Sequence, residues 1–127
     1  MIGNYSPKDS QENLFNFLSS KERGILSRAL EMIMAALQKK RNHTISVSFF
    51  EIYNEKIFDL YNNTMIPLEI RESKNGEISI PDLLNIQVEN MKESIEYLMV
   101  GLKNRATRCT HGNAQSSRSH SIFQINL

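Results

Sequence analysis

Residues 43–53 carry the strongest constraint on the fold. Ile45, Val47 and Phe49 alternate with Thr44, Ser46 and Ser48, the period-two pattern of a strand. Phe50 and Ile52 then place apolar groups on the opposite face. A strand that is apolar on both faces belongs inside a sheet covered by helices. Two segments can supply that cover. In residues 24–41, Ile25, Leu26, Ala29, Leu30, Ile33, Met34 and Leu37 recur at helical spacing, and Lys39, Lys40 and Arg41 suit the negative end of a helix. In residues 91–104, Met91, Ile95, Leu98 and Leu102 form a second stripe, with Asn90 as N-cap and Glu93 three residues on, as in a capping box.

The remaining segments are shorter. Residues 4–23 read as a surface connection rich in turn formers, with Leu14, Phe15, Phe17 and Leu18 as a docking helical turn. Residues 55–60 continue the long strand as a short helix or turn. Residues 66–71 and 77–80 read as a hairpin around Lys74-Asn75-Gly76, and 85–88 as another short strand. Residues 106–117 are a polar loop, and 119–127 alternate again as a strand. The order helix, strand, small strands, helix, loop, strand is that of an α/β layer fold. The chain stops on a strand without turn or cap residues, so the sheet is expected to continue in further sequence.

At 127 residues the chain has the size of one domain. Its 15 Lys and Arg against 14 Asp and Glu leave +1, without the basic excess of a dedicated nucleic-acid binder. One cysteine, Cys109, rules out an internal disulfide, and His43, His111 and His120 show no spaced ligand pattern with it. No apolar run approaches the roughly 20 residues of a membrane span. Met1 to Ser10 is polar and shows no signal-peptide pattern, so the expected compartment is the cytoplasm.

Chemistry concentrates at residues 113–120. Asn113, Gln115, Ser116 and Ser117 sit on a loop that runs into a strand opening with Arg118, Ser119 and His120. Hydroxyls can coordinate magnesium or bond a phosphate, and arginine can pair with a carboxylate or phosphate. By residue type alone, a Ser-rich solvated surface loop explains the same string.

The string itself is more specific. Asn113-x-x-Ser116-Ser117-Arg118-Ser119-His120, continued by Ser121-Ile122-Phe123, resembles the switch I signature of kinesin motor domains. Val47-Ser48-Phe49-Phe50-Glu51-Ile52-Tyr53-Asn54-Glu55, followed by Ile57, Asp59 and Leu60, resembles another of that family's motifs. Arg23-Gly24-Ile25-Leu26-Ser27-Arg28 and Asn104-Arg105 fall in the family's order and spacing. The resemblance covers essentially the whole chain. It implies part of the P-loop NTPase-like kinesin motor fold, a central mostly parallel sheet flanked by helices, with residues 1–127 forming a single incomplete motor domain.

The resemblance also implies roles. Ser117 would place its hydroxyl near magnesium and the γ-phosphate of ATP. Ser116 and Asn113 would hold the phosphate and the attacking water. Arg118 would pair with a switch II glutamate. Arg105 would brace the loop from the preceding helix or remain a solvated cation, and His120 would pack or hydrogen-bond rather than do chemistry. Arg71 and Lys74 fall in the hairpin through which the family partly contacts the microtubule, where cations face acidic tubulin or merely solvate a strand edge. The implied cofactors are ATP and magnesium. The implied partners are the microtubule and the rest of the motor domain, with neither nucleic acid nor membrane insertion, and the implied location is the microtubule cytoskeleton.

Departures from the family pattern bear on activity. None of Gly3, Gly24, Gly76, Gly101 and Gly112 is followed by Lys, so no G-x-x-x-x-G-K-[ST] phosphate loop lies in these residues. Met1-Ile2-Gly3 resembles the stretch just after that loop, and the chain stops before the family's Asp-Leu-Ala-Gly switch II segment. Ser27 stands where the family usually has Pro, and Ala114-Gln115 where Glu-His is commoner. The expectation is a central fragment of an ATP-driven microtubule motor that alone folds poorly and has no measurable ATPase. Two other readings stand beside it: a truncated, non-catalytic microtubule- or partner-binding module, and an unrelated α/β domain with a polar loop.

Overall fold

In a computed structural model of the chain, residues 24–37, 44–62, 64–109 and 118–127 are described. Strand β1 (Ile45–Tyr53) is the axis of the fold. Along one edge, strand β6 (Ser119–Asn126) pairs with Ser46 to Tyr53. The other edge is shared by strand β5 (Ile86–Val88) against Ile45 to Val47 and strand β2 (Lys56–Asp59) against Phe50 to Tyr53. With β6 along one edge and β5 and β2 sharing most of the other, β1 is the inner strand of this sheet, and Val47, Ser48, Phe49, Phe50 and Glu51 are buried in succession.

Residues 55–60 are not the short helix or turn expected from their apolar content. Asn54 and Glu55 take positive φ, 47° and 61°, and reverse the chain in two residues. That geometry matches the twist of a hairpin, so Lys56–Asp59 returns as β2 with its apolar groups buried.

Every pairing among the described strands is antiparallel. The β1–β2 pairing could not be otherwise, because a two-residue turn cannot join parallel strands. The parallel relation of an α/β fold enters at one remove. β5 and β6 both oppose β1, so they run in the same sense with β1 between them. Helix α2 (Met91–Cys109) is the crossover that joins them.

Helix α1 (Ile25–Leu37) buries Ser27, Leu30 and Met34 and leaves Ile25 and Met32 exposed. Ser27 donates its hydroxyl to the Gly24 carbonyl at 2.9 Å, within the first turn. Residues 38–43, which include the expected basic end of this helix, lie outside the described residues. Residues 1–23 do as well.

α2 starts at Asn90, whose side chain accepts from the Glu93 N–H at 3.0 Å. The Glu93 carboxylate reaches the N–H of Glu89 at 2.8 Å, one residue before the N-cap. The helix runs to Cys109 rather than ending at 104 as its apolar stripe suggests. Ile95, Leu98 and Gly101 lie buried on its inner face, and Arg105 and Arg108 continue that face by helical spacing. Gly101 lets the helix approach the sheet closely, since a Cβ there would lie 2.1 Å from Phe49 Cδ1.

The core falls between the helices and one face of β1. Met34, Ile45, Val47 and Val88 form one cluster, and Phe49, Leu60 and Leu98 another. Phe49 meets Phe123 and Tyr61 edge-on, at 5.4 and 6.4 Å between ring centroids.

The expected hairpin is shorter than its sequence range. Strands β3 (Arg71–Glu72) and β4 (Ile78–Ser79) form a separate two-stranded sheet whose turn is completed by Gly76 at φ 79°. Residues 66–70 contribute only the Leu68 bridge to Ile57, because they have no strand partner beyond it among the described residues. The base of the excursion is held by Asp59. Its carboxylate accepts from the N–H groups of Tyr61, Asn62 and Leu84 at 2.8, 3.3 and 2.9 Å.

Candidate functional site

The inward row of β1 runs Val47, Phe49, Glu51, so an apolar strand face ends on a carboxylate that is 5% exposed. The inner face of α2 changes character at the same level, from Ile95 and Leu98 to Arg105 and Arg108. A buried carboxylate requires compensation, and the two arginines supply it. Arg105 Nε lies 3.3 Å from Glu51 Oε1, and Arg108 Nε 4.0 Å from Oε2. The first residue of β6 joins them. Ser119 donates its hydroxyl to Glu51 Oε1 at 2.5 Å and accepts from Arg105 Nη2 at 3.3 Å.

Arg108 is 7% exposed and stacks on the Phe58 ring, with its guanidinium carbon 4.1 Å from the centroid. Its Nε and Nη1 have no hydrogen-bond partner among the described residues. Two guanidinium groups therefore share one carboxylate, and Arg105, with Ser119, holds the better geometry. The location at the carbonyl end of α2 favours both cations.

The expected site residues are placed unevenly. Arg118 is exposed at the start of β6, directly before Ser119. His120 follows, exposed on the outward face opposite Ile52. Asn113, Ser116 and Ser117 lie outside the described residues, and with them the expected magnesium ligand. Arg105 is neither a free helix-end cation nor a group aimed at solvent; it is bound to Glu51 and Ser119. Arg71 and Lys74 are both exposed on the β3–β4 hairpin, a different sheet from the one carrying Arg118.

Glu51, Arg108 and Ser119 are members of this cluster that the motif reading does not single out. One signal was available in the sequence. A glutamate in the middle of a strand buried on both faces needs a cation, and Arg105 and Arg108 are spaced to share a helix face.

The kinesin motor domain family model matches residues 3–127. The chain belongs to the kinesin motor domain family. This kinesin segment is 32% identical over 126 residues to a human protein named kinesin-like protein KIF19, covering 97% of the segment and 13% of that protein. It is 38% identical over 105 residues to kinesin-like protein klp-3 of Caenorhabditis elegans, covering 80% and 18%. Among solved structures it superposes on a fast kinesin, described together with its ATPase mechanism and interactions with microtubules. That match has a TM-score of 0.81 and 32% identity, and covers 98% of the segment and 33% of the solved chain. The segment thus has the kinesin motor fold over its length and spans a small part of each full relative.

Proposed function

We propose that this segment is the switch I portion of an ATP-driven microtubule motor. The observation that carries the proposal is the family match over residues 3–127, which includes the string Asn113 to His120. In this reading the Ser117 hydroxyl binds magnesium and the γ-phosphate. Ser116 and Asn113 orient the phosphate and the attacking water, and Arg118 pairs with an acidic group of switch II.

The residues fit magnesium held jointly with a nucleotide. Among the described residues no group of three or more His, Cys, Asp or Glu could hold a metal alone. Glu51, a buried acid tied to the residue that follows Arg118, is engaged by Arg105 and Ser119. A hydroxyl ligand with phosphate oxygens and water is the coordination magnesium commonly accepts. Magnesium, when bound, neutralises charge that develops on the phosphate oxygens. The chain's own part is positional: Ser117 and Ser116 as oriented hydroxyls, Asn113 as an amide donor, Arg118 as a cation exposed at the strand edge.

Arg71 and Lys74 support the track-binding half of the reading. Both are exposed on a short hairpin within the excursion whose two ends Asp59 holds through Tyr61, Asn62 and Leu84. Cations so placed would attract an acidic track at long range. The fast kinesin that this segment resembles is described with its ATPase mechanism and interactions with microtubules.

The test is microtubule-stimulated phosphate release by a complete motor domain containing this segment, with and without Ser117→Ala. Stimulated turnover that falls by about 10²-fold or more in the variant is expected. Turnover that is absent from the parent, or equal in the variant, would refute the reading. The 127 residues alone, which contain no G-x-x-x-x-G-K-[ST] motif, are expected to show no stimulated turnover.

A further inference from the structure

Arg105 and Ser119, which are 14 positions apart in the chain, meet at a single oxygen, Glu51 Oε1. Ser119 is bonded to Arg118 on one side, and Arg105 sits in the last turns of α2. The oxygen on which they converge belongs to a β1 residue paired on both edges, with Phe58 and with Ser121. The triangle is closed, since Arg105 Nη2 also donates to Ser119 Oγ. Burial of Glu51 strengthens these bonds, because little of its surface is open to water.

We propose that Glu51 is a positioning residue of the motor. Its carboxylate sets where Arg118 leaves the strand edge, by fixing Ser119 and the end of α2 to one point on β1. The inference rests on the switch I reading above, because it concerns the placement of Arg118 for nucleotide turnover. It adds a residue that acts through Ser119 and Arg105 and touches neither nucleotide nor track. Its chemical basis is the sharing of one oxygen. If Glu51 served only to neutralise Arg108 in the core, its shorter contacts would be with Arg108. Instead Arg108 stands off at 4.0 Å, its Nε and Nη1 without a hydrogen-bond partner among the described residues, while Arg105 and the Ser119 hydroxyl hold the carboxylate.

The decisive variant is Ser119→Ala, which deletes the hydroxyl tie and leaves the Glu51–Arg105 ion pair in place. It is compared with Ser119→Thr, which retains a hydroxyl on the same Cβ, and with Glu51→Gln. All are made in a complete motor domain containing this segment. Microtubule-stimulated kcat, KM for ATP, KM for microtubules and Tm are measured for each.

Ser119→Ala is expected to lower kcat by about ten-fold, since small misplacement of a reacting group is costly. Its KM for microtubules should hold within two-fold of the parent's, roughly the level at which no contact has been lost. Ser119→Thr is expected to recover most of the lost kcat. Glu51→Gln is expected to lower kcat at least as far as Ser119→Ala and to lower Tm as well. A purely structural role would lower Tm and leave kcat per folded molecule unchanged, and that result overturns the proposal. So does a Ser119→Ala enzyme with parental kcat, or a Ser119→Thr enzyme as impaired as Ser119→Ala. A parent without stimulated turnover refutes the motor reading itself, whereas an active parent with unaffected variants refutes only the role of Glu51.

Discussion

Replacing Gly101 by alanine sets two opposed effects against each other. Gly101 lies in the interior of α2, where alanine is favoured over glycine by about 1 kcal/mol through helix propensity. The added Cβ would sit 2.1 Å from Phe49 Cδ1 and 2.7 Å from Cε1, whereas carbon atoms pack at about 3.5–4.0 Å. The ring has little room to yield: Phe49 is 1% exposed and bounded by the edges of Phe123 and Tyr61. Overpacking of a filled core costs about 1–3 kcal/mol, and an overlap with a fixed ring belongs at the upper end. The expected net effect of Gly101→Ala is a loss of about 2 kcal/mol. Urea denaturation of a motor domain containing this segment measures it, as a lower midpoint at unchanged m-value. Val100→Ala, at an exposed neighbouring position, is the control and should change stability by about 0.5 kcal/mol or less. A Gly101→Ala protein as stable as the parent would show that helix and sheet are not held at this distance, and the packing argument would fail.

Other consequences concern polar groups in the same core. The Tyr61 hydroxyl is buried without a hydrogen-bond partner among the described residues, so Tyr61→Phe should stabilise the fold by about 1 kcal/mol in a thermal melt. Burial, followed by the charge of Asp59 and then Tyr97, raises the Tyr61 pKa above its ordinary 10.0. The folded state thus retains a proton that the unfolded chain gives up. The resulting stability is complete below pH 10 and is lost as pH rises above it; Tyr61→Phe should flatten that alkaline decline. Arg108→Met should cost less than about 1 kcal/mol or even stabilise, because two nitrogens without a partner among the described residues leave the core, whereas Glu51→Ala should cost about 3–5 kcal/mol by stranding the buried Arg108. Equal effects of these two substitutions on the denaturation midpoint would contradict the assignment of Glu51 to Arg105. Asp59→Ala removes the acceptor of three backbone N–H groups and should raise hydrogen exchange at Tyr61, Asn62 and Leu84.

Much of this kinesin segment is legible in its residue order, because its signals are local. The period of Ile45, Val47 and Phe49 marks a strand, and Phe50 on the other face demands cover from both sides. Asn90 and Glu93 mark the start of α2, and Asn90 caps it. The string Asn113 to His120 marks the family before any coordinate is known. Local pattern fails where an element's reason lies elsewhere in the chain. Residues 56–59 form a strand because Asn54 and Glu55 accept positive φ and β1 offers an open edge, neither of which apolar content reveals. The C-terminal turns of α2 carry no apolar stripe, since their inward positions are Arg105 and Arg108. Those two arginines face the buried Glu51 carboxylate instead of an apolar layer.

That carboxylate separates what the sequence determines from what tertiary structure decides. Sequence alone establishes the layer architecture and the family, through periodicity and short-range motif. It leaves Glu51 as one letter in a strand motif. Its partners Arg105 and Ser119 lie 54 and 68 residues away, so no local pattern couples them. Only the packing of α2 across β1, with β6 paired along its edge, places two arginines and a hydroxyl around one buried charge. A charge withdrawn from water must be met by partners wherever the fold can deliver them.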